Sequence, residues 1–262
     1  MSQEERPDPR RPAFLGVDGE IATIVLNRPE AYNAIDREMA ERLRDLAAEA
    51  AGLAGIKIVV VRGEGPAFCG GGDIRHFVGN LDDIGTCIRA LLTPYHQFLE
   101  SLRTMDRLTV ASVHGSAAGA GLSLASMCDL CIAADDAVFT PAYARIGVSP
   151  DGGGTYGLAR AIGARRALHA YLGEDKFPAR QAADWGLVTK LVPAGTLADE
   201  TALYAARLAR TSAAAIAGTK RLLQASVGAA LPDQLNDEME TLIGCMATET
   251  FVTAVQSFVK KT

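Results

Sequence analysis

Aromatic side chains make up only 6% of this 262-residue chain, with one tryptophan and four histidines. Several function classes drop out because the sequence lacks what they need. No stretch approaches the roughly 18 consecutive apolar residues of a membrane-spanning helix, so no membrane partner is expected. Basic excess is missing too: the formal net charge is −5 and no basic stripe is visible, which argues against nucleic acid as a partner. Arg6, Arg10 and Arg11 belong to a Pro-rich segment, residues 2–12, with the composition of a disordered tail and no apolar core that would make it a secretory signal. Cytoplasmic is therefore the default location. The five cysteines are odd in number and scattered, which does not describe a disulfide framework. Cys128 and Cys131 form one C-x-x-C, but its flanks are apolar, no second pair exists and histidine is scarce. They read as buried core thiols, and no metal site is expected.

What is present is an ordinary globular composition, 48% hydrophobic and 22% charged, in a chain long enough to bury a substantial core. Asp18-Gly19 between two β-rich runs, Phe14–Val17 and Ile21–Asn27, predicts a hairpin. Apolar residues at Ile35, Met39, Leu43, Leu46, Ala47 and Ala50 predict a helix from about Asp36 to Ala51. Ile56–Arg62 reads as a buried strand, and residues 74–107 as helical but broken at Pro94. Thr109–Val113 and Leu130–Ala133 read as strands around a small-residue helix at Leu122–Met127. Thr155–Leu172 reads as one helix, followed by a helix at Pro178–Trp185 and a strand at Leu187–Val192. Helices are expected at Thr201–Thr211, Ser212–Ser226 and Asp233–Phe258. Strands alternating with helices to about residue 193, then a helical tail, give the α/β class.

The centre of this pattern is His114–Tyr156. It opens on a Gly-rich turn, Gly115 to Gly121, and closes on Gly152-Gly153-Gly154 with Asp151 at the edge. A second Gly-rich loop, Gly70-Gly71-Gly72, also follows a strand. Glycine lets backbone N–H groups approach a ligand, and a helix opening at such a turn favours negative charge there. Such groups can hold an oxyanion or enolate. Each turn is also what an ordinary tight turn looks like.

Six motifs carry a resemblance across residues 14–225: Asn27-Arg28-Pro29 with Asn33-Ala34; Phe68-Cys69-Gly70-Gly71-Gly72-Asp73-Ile74; Val113-His114-Gly115 with Gly119-Ala120-Gly121; Met127-Cys128-Asp129; Gly152-Gly153-Gly154-Thr155; and Trp185-Gly186-Leu187-Val188 with Val192-Pro193. In this order they resemble the crotonase superfamily, the enoyl-CoA hydratase/isomerase fold. The resemblance implies a tail at residues 1–12, a ββα spiral that binds acyl-CoA at 13–196, and a helical region at 197–262 that builds a homotrimer, often paired into a hexamer. It implies an acyl-CoA thioester as substrate, with coenzyme A part of that substrate and no separate cofactor. It also implies an oxyanion hole made by the N–H groups of Gly72 and Ala120.

Hydratases of this superfamily use two glutamates, and the matching positions here are Ser123 and Tyr143. Both acids are missing, and neither replacement is a base near neutral pH. Asp151, eight residues after Tyr143, stands where ring-1,2-epoxyphenylacetyl-CoA isomerases and related Δ3,Δ2-enoyl-CoA isomerases carry their acid. The 4-chlorobenzoyl-CoA dehalogenases also have an Asp there, as nucleophile, but pair it with Trp at the Tyr143 position. One carboxylate moving a proton between the two ends of an allylic system needs no second acid, which favours an isomerase over a hydratase or a non-catalytic acyl-CoA binder. Read from spacing alone, Asp151 is a turn residue or, the favoured local reading, the cap of the helix at Thr155. Cys69, Gly70, Asp73, Ile74, Gly119, Ser123 and Tyr143 are carried over as substrate-binding positions. His76 is a further candidate there, and Arg28 with Lys260 and Lys261 are candidates for the CoA phosphates. Gly121-Leu122-Ser123-Leu124-Ala125 is one residue from a serine-hydrolase elbow, but the one downstream histidine, His169, sits mid-helix. Gly119-Ala120-Gly121 lacks the third glycine and the acid of a dinucleotide fingerprint.

Overall fold

Asp18-Gly19 turns the chain as its sequence demands: β1 (Ala13–Asp18) and β2 (Ile21–Leu26) pair antiparallel with Asp18 opposite Ile21, and Gly19 takes a φ of 56°. The computed structural model describes residues 11–228, 231–246, 248, 249 and 251. Residues 1–10, Lys260, Lys261 and the far end of the helix expected to reach Phe258 lie outside these.

Helix α1 (Arg37–Gly52) starts where the Asp36 side chain accepts from the Met39 N–H. Its buried face is Met39, Ala40, Leu43, Leu46, Ala47 and Ala50. β3 (Ile58–Gly63) follows, then the short α2 (Ile74–Val78) and the long α3 (Ile84–Thr104). The break expected at Pro94 is not there: Pro94 lies inside α3, and the chain is interrupted earlier, at Gly79 to Asp83. Proline forfeits one helical hydrogen bond. Here Leu91, Pro94, Tyr95, Phe98, Leu99 and Leu102 form one buried face, and burial of that face outweighs the lost bond.

β4 (Leu108–Val113) and β5 (Ser116–Ala118) lead into α4 (Ala120–Met127), every residue of which is buried. β6 (Leu130–Ala134) and β7 (Val138–Thr140) come next. The single helix expected over Thr155–Leu172 is two, α5 (Gly154–Ile162) and α6 (Ala164–Gly173). They part at Gly163, whose φ of 82° no helix accepts. β8 (Phe177–Pro178), α7 (Ala179–Trp185) and β9 (Lys190–Val192) complete the sheets. α8 (Leu197–Ala209), α9 (Ala213–Ala225, capped by Ser212) and α10 (Leu231–Met246) form the helical end.

The six-stranded sheet runs β1-β2-β3-β4-β6-β9, parallel except for the opening hairpin, and β5-β7-β8 form a smaller second sheet. The two short strands β5 and β7 go unpredicted from sequence because three residues each, Ser-Ala-Ala and Val-Phe-Thr, are too few to carry an apolar/polar alternation. A buried ion pair joins the helical end to the sheet: Lys220 Nζ lies 2.8 Å from Asp129 Oδ2 and donates to the Leu102 and Arg107 carbonyls, both at 2.8 Å. Among the described residues no helix is long and apolar enough to cross a membrane. Cys128 and Cys131 are buried free thiols, and burial pushes the Cys131 thiol up to about 12.

Candidate functional site: two glycine loops over an apolar cavity

The two glycine loops are laced together by backbone bonds. Phe68 N donates to His114 O at 3.0 Å, Cys69 N to Ser116 O at 3.1 Å, and Ala118 N to Cys69 O at 2.9 Å. Beyond this ladder only glycine fits. A Cβ on Gly71 would stand 2.8 Å from Ala118 O and 3.5 Å from Ala120 N, and one on Gly121 would stand 2.3 Å from Cys69 O. Gly119 adopts φ 49° and ψ −116°, which a side chain would oppose.

This packing leaves two N–H groups without partners. The parallel bridge between Ile35 and Gly72 is made by Ile35 N to Gly71 O and Asp73 N to Ile35 O, so the N–H of Gly72 points to the other side. Ala120 is the first residue of α4, where no helical acceptor exists. Among the described residues neither N–H has a hydrogen-bond partner. Both residues line the same cavity.

Asp151 lines that cavity as well. Its carboxylate does not cap the following helix: the N-cap of α5 is Gly153, with no side-chain bond. Its carbonyl makes the turn, accepting from Gly154 N at 2.9 Å and from Ser123 Oγ at 2.9 Å. The carboxylate Oδ1 accepts a 2.6 Å bond from the Tyr143 hydroxyl, which also lies 3.1 Å from Ser123 Oγ. Burial first, then the adjacent Asp151 charge, pushes the Tyr143 phenol well above its ordinary range, so it stays a proton donor.

The cavity encloses about 680 Å³. Its polar lining comes from the glycine loops, Tyr143, Arg145, Ser149 and Asp151, and its apolar lining from Phe77, Leu81, Ile84, Ile88, Leu91 and Leu92, with Phe77 packed against Gly72, where an added Cβ would stand 2.8 Å from Phe77 Cζ. Tyr95, fully buried on α3, donates to Ala120 O at 3.0 Å and so ties the apolar wall to the second glycine loop.

Of the residues singled out from sequence, Gly70, Gly72, Ile74, Gly119, Ala120, Tyr143 and Asp151 line the cavity. Cys69, Asp73, His76, Ser123 and Arg28 do not. Cys69 is fully buried and its thiol donates to Asn33 O at 3.3 Å. Ser123 is fully buried behind Tyr143. Arg28 holds the first loop from below: its guanidinium pairs with Asp36 at 2.9 Å and Asp73 at 3.1 Å, and donates to Ala34 O at 2.7 Å. Asp73 caps α2 through the Arg75 and His76 N–H groups. Burial alone would raise its carboxyl, but Arg28 and these N–H groups outweigh burial and hold it below the ordinary value. His76 is half-buried on α2, its ring edge-on to Phe77. Sequence reasoning missed Ser149 and Arg145 as lining residues, since Arg145 sits in a single 3-10 turn, Ala144–Ile146, and Ser149 in the loop after it, with no periodicity to orient either.

A strand-and-helix spiral whose paired glycine loops leave two N–H groups over an apolar cavity is the crotonase architecture. Residues 16–262 match the family model described as enoyl-CoA hydratase/isomerase, and the chain belongs to that family. It is 35% identical over 241 residues to a Rhodobacter capsulatus protein named "Probable enoyl-CoA hydratase", covering 92% of each. It is 30% identical over 228 residues to the 1,2-epoxyphenylacetyl-CoA isomerase of Escherichia coli, covering 86% of each. The crystal structure of an enoyl-CoA hydratase from Polaromonas sp. JS666 superposes with a TM-score of 0.90 at 30% identity, covering 95% of this chain and 97% of that one.

Proposed function

We propose that this protein is an acyl-CoA isomerase that shifts a double bond, or rearranges a ring-derived thioester, through an enolate. Asp151 takes a proton from Cα of a 3-enoyl thioester. The C–H electron pair moves into the conjugated system, and the thioester oxygen becomes the oxyanion of a dienolate. The N–H groups of Gly72 and Ala120 hold that oxygen, each contributing about 3–4 kcal/mol in a water-poor site. Asp151 then returns the proton to Cγ, the carbonyl re-forms, and the 2-enoyl thioester leaves. No further cofactor is invoked. The observation that carries this reading is Asp151, the one carboxylate among the described residues on the cavity wall, with Ser123 and Tyr143 at the two hydratase glutamate positions. The dienolate negative charge is confined to the end lined by N–H groups, while the apolar walls receive the acyl chain.

The test is a panel of 3-enoyl-, 2-enoyl- and ring-derived CoA thioesters, assayed for double-bond shift against water addition. Isomerisation of 3-enoyl or ring-derived substrates supports the proposal. Water addition alone would make the protein a hydratase, the activity in the name of the Rhodobacter relative. Binding without turnover would make it a non-catalytic acyl-CoA binder. The resemblance also carries a homotrimer or hexamer in the cytoplasm, which sedimentation and fractionation would test.

A further inference from the structure

We propose that Tyr143 is a positioning residue. Its hydroxyl pins Oδ1 of Asp151 and leaves Oδ2 as the one oxygen that exchanges a proton with substrate. This rests on the isomerase reading, and it adds what that reading leaves open: how one carboxylate keeps a fixed aim through two opposite proton transfers.

Two hydroxyl hydrogens serve four oxygen contacts. The Ser123 hydrogen is committed to the Asp151 carbonyl at 2.9 Å, since a carbonyl can only accept. The Tyr143 hydrogen goes to Oδ1 at 2.6 Å, the shortest of its contacts, with Ser123 Oγ at 3.1 Å and the Asp151 carbonyl at 3.5 Å. Main chain and side chain of Asp151 are thus held from one side by two residues that scarcely meet solvent: Ser123 is fully buried and Tyr143 is 8% exposed. The Tyr143 ring is itself braced, edge-on to Tyr171 with centroids 6.2 Å apart. Among the described residues Oδ2 has no hydrogen bond.

The bond has the same donor and acceptor in both halves of the cycle. While Asp151 is a carboxylate, Oδ1 accepts from Tyr143. After Oδ2 takes the substrate proton, Oδ1 is the carbonyl oxygen of the acid and still accepts. A proton placed on Oδ1 would instead force Tyr143 to give up its 2.6 Å bond and turn its hydrogen to Ser123. The network therefore selects Oδ2 and keeps the carboxyl group from rotating while it carries the proton. A carboxyl free to rotate would expose that proton to water before it reached Cγ.

The experiment uses a 3-enoyl-CoA deuterated at Cα, turned over in ordinary water by the wild type and by Tyr143→Phe. kcat, KM and the fraction of product carrying deuterium at Cγ are measured. For Tyr143→Phe the expected result is a kcat lower by roughly 10- to 100-fold, as for a group displaced by about 1 Å. KM stays within about twofold, and deuterium transfer falls to less than about half its wild-type value, a readout that lost packing alone does not move. Unchanged kcat and transfer would overturn the proposal, and so would a raised KM at unchanged kcat, which would make Tyr143 a substrate contact. If Tyr143→Phe fails to fold, Ser123→Ala supplies the readout from behind the same carboxyl: reduced transfer supports, unchanged transfer overturns. If the wild type only adds water, the isomerase reading falls. The positioning claim is then read from kcat for water addition, where a loss in Tyr143→Phe supports it and no change overturns it.

Discussion

Replacing Gly121 by alanine should injure catalysis from behind the site, without touching substrate. The new methyl carbon would stand 2.3 Å from the Cys69 carbonyl oxygen and 2.9 Å from Cys69 Cβ, where ordinary contact begins at 3.4 Å. The obstacle is main chain, and that carbonyl is also tied to Ala118 N at 2.9 Å, so no flexible side chain can swing aside. Relief requires the loop carrying Gly72 and the start of α4 carrying Ala120 to separate by about 1 Å, a displacement that typically costs catalysis on the order of 100-fold. Overpacking of this kind destabilises by about 1–3 kcal/mol. For a chain of this size that corresponds to a melting temperature lower by roughly 2–12 °C. The assay is kcat on the best substrate of the thioester panel, beside a thermal melt. Gly85→Ala is the control: its Cβ meets nothing within 4 Å, it lies in α3, and it should leave turnover intact while holding or raising stability. A Gly121→Ala protein with wild-type turnover and melting temperature would refute the reasoning that these two loops must touch.

Three more outcomes follow from the same structure. Lys220→Met takes the ammonium from Asp129, which keeps Arg103 at 3.5 Å and the Thr109 N–H and hydroxyl at 2.9 Å, so it should cost less than the about 3–5 kcal/mol of a buried charge left wholly unpaired, seen as an earlier urea midpoint at unchanged slope; a midpoint within experimental error of wild type would mean the pair is dispensable. Asp73 titrates below its ordinary 3.8 in the folded state, so the stability it contributes is complete above that value and disappears as pH falls through the lower folded value. The stability gap between wild type and Asp73→Asn should therefore be widest near neutral pH and narrow below about pH 3.8, whereas a gap that widens in acid would reverse the sign. Tyr95→Phe removes the bond to Ala120 O at about 1 kcal/mol and should lower kcat several-fold with KM unchanged; a KM effect alone would place the hydroxyl's role in the acyl pocket.

Much of the fold was legible in the sequence wherever one physical signal dominated. Asp18-Gly19 marked the hairpin, the β-branched run at Ile56–Arg62 the strand found at Ile58–Gly63, and the face from Met39 to Ala50 the first helix. The misreadings came where local and tertiary terms opposed each other. Pro94 has the local chemistry of a helix breaker, yet it is carried inside α3 by a face buried on the core. Gly163 looked tolerable within a helical pattern, but its positive φ ends α5. The strands Ser116–Ala118 and Val138–Thr140 bury only their middle residue, and three residues are too few for that alternation to be read from the sequence.

In the site, the motifs located the loops but not the direction of each side chain. Of the run Cys69 to Ile74, the glycines and Ile74 face the cavity, while Cys69 and Asp73 face inward to hold the loop in shape. Arg28 serves the same end, bridging the carboxylates that cap α1 and α2. The Tyr143–Asp151 bond could not be read from a spacing of eight, because it depends on the left-handed turns at Gly147, Gly152 and Gly153 that bring the two ends together.

The most direct test of the one-base account is Asp151→Asn, which keeps the shape and loses the proton acceptor. Double-bond shift on the best 3-enoyl-CoA should fall by about 10²–10⁴, the usual contribution of a positioned base. The dissociation constant for a saturated acyl-CoA should stay within about twofold, since the N–H pair and the apolar walls are untouched. An Asp151→Asn protein that still isomerises at near wild-type rate would show that the proton travels by another group.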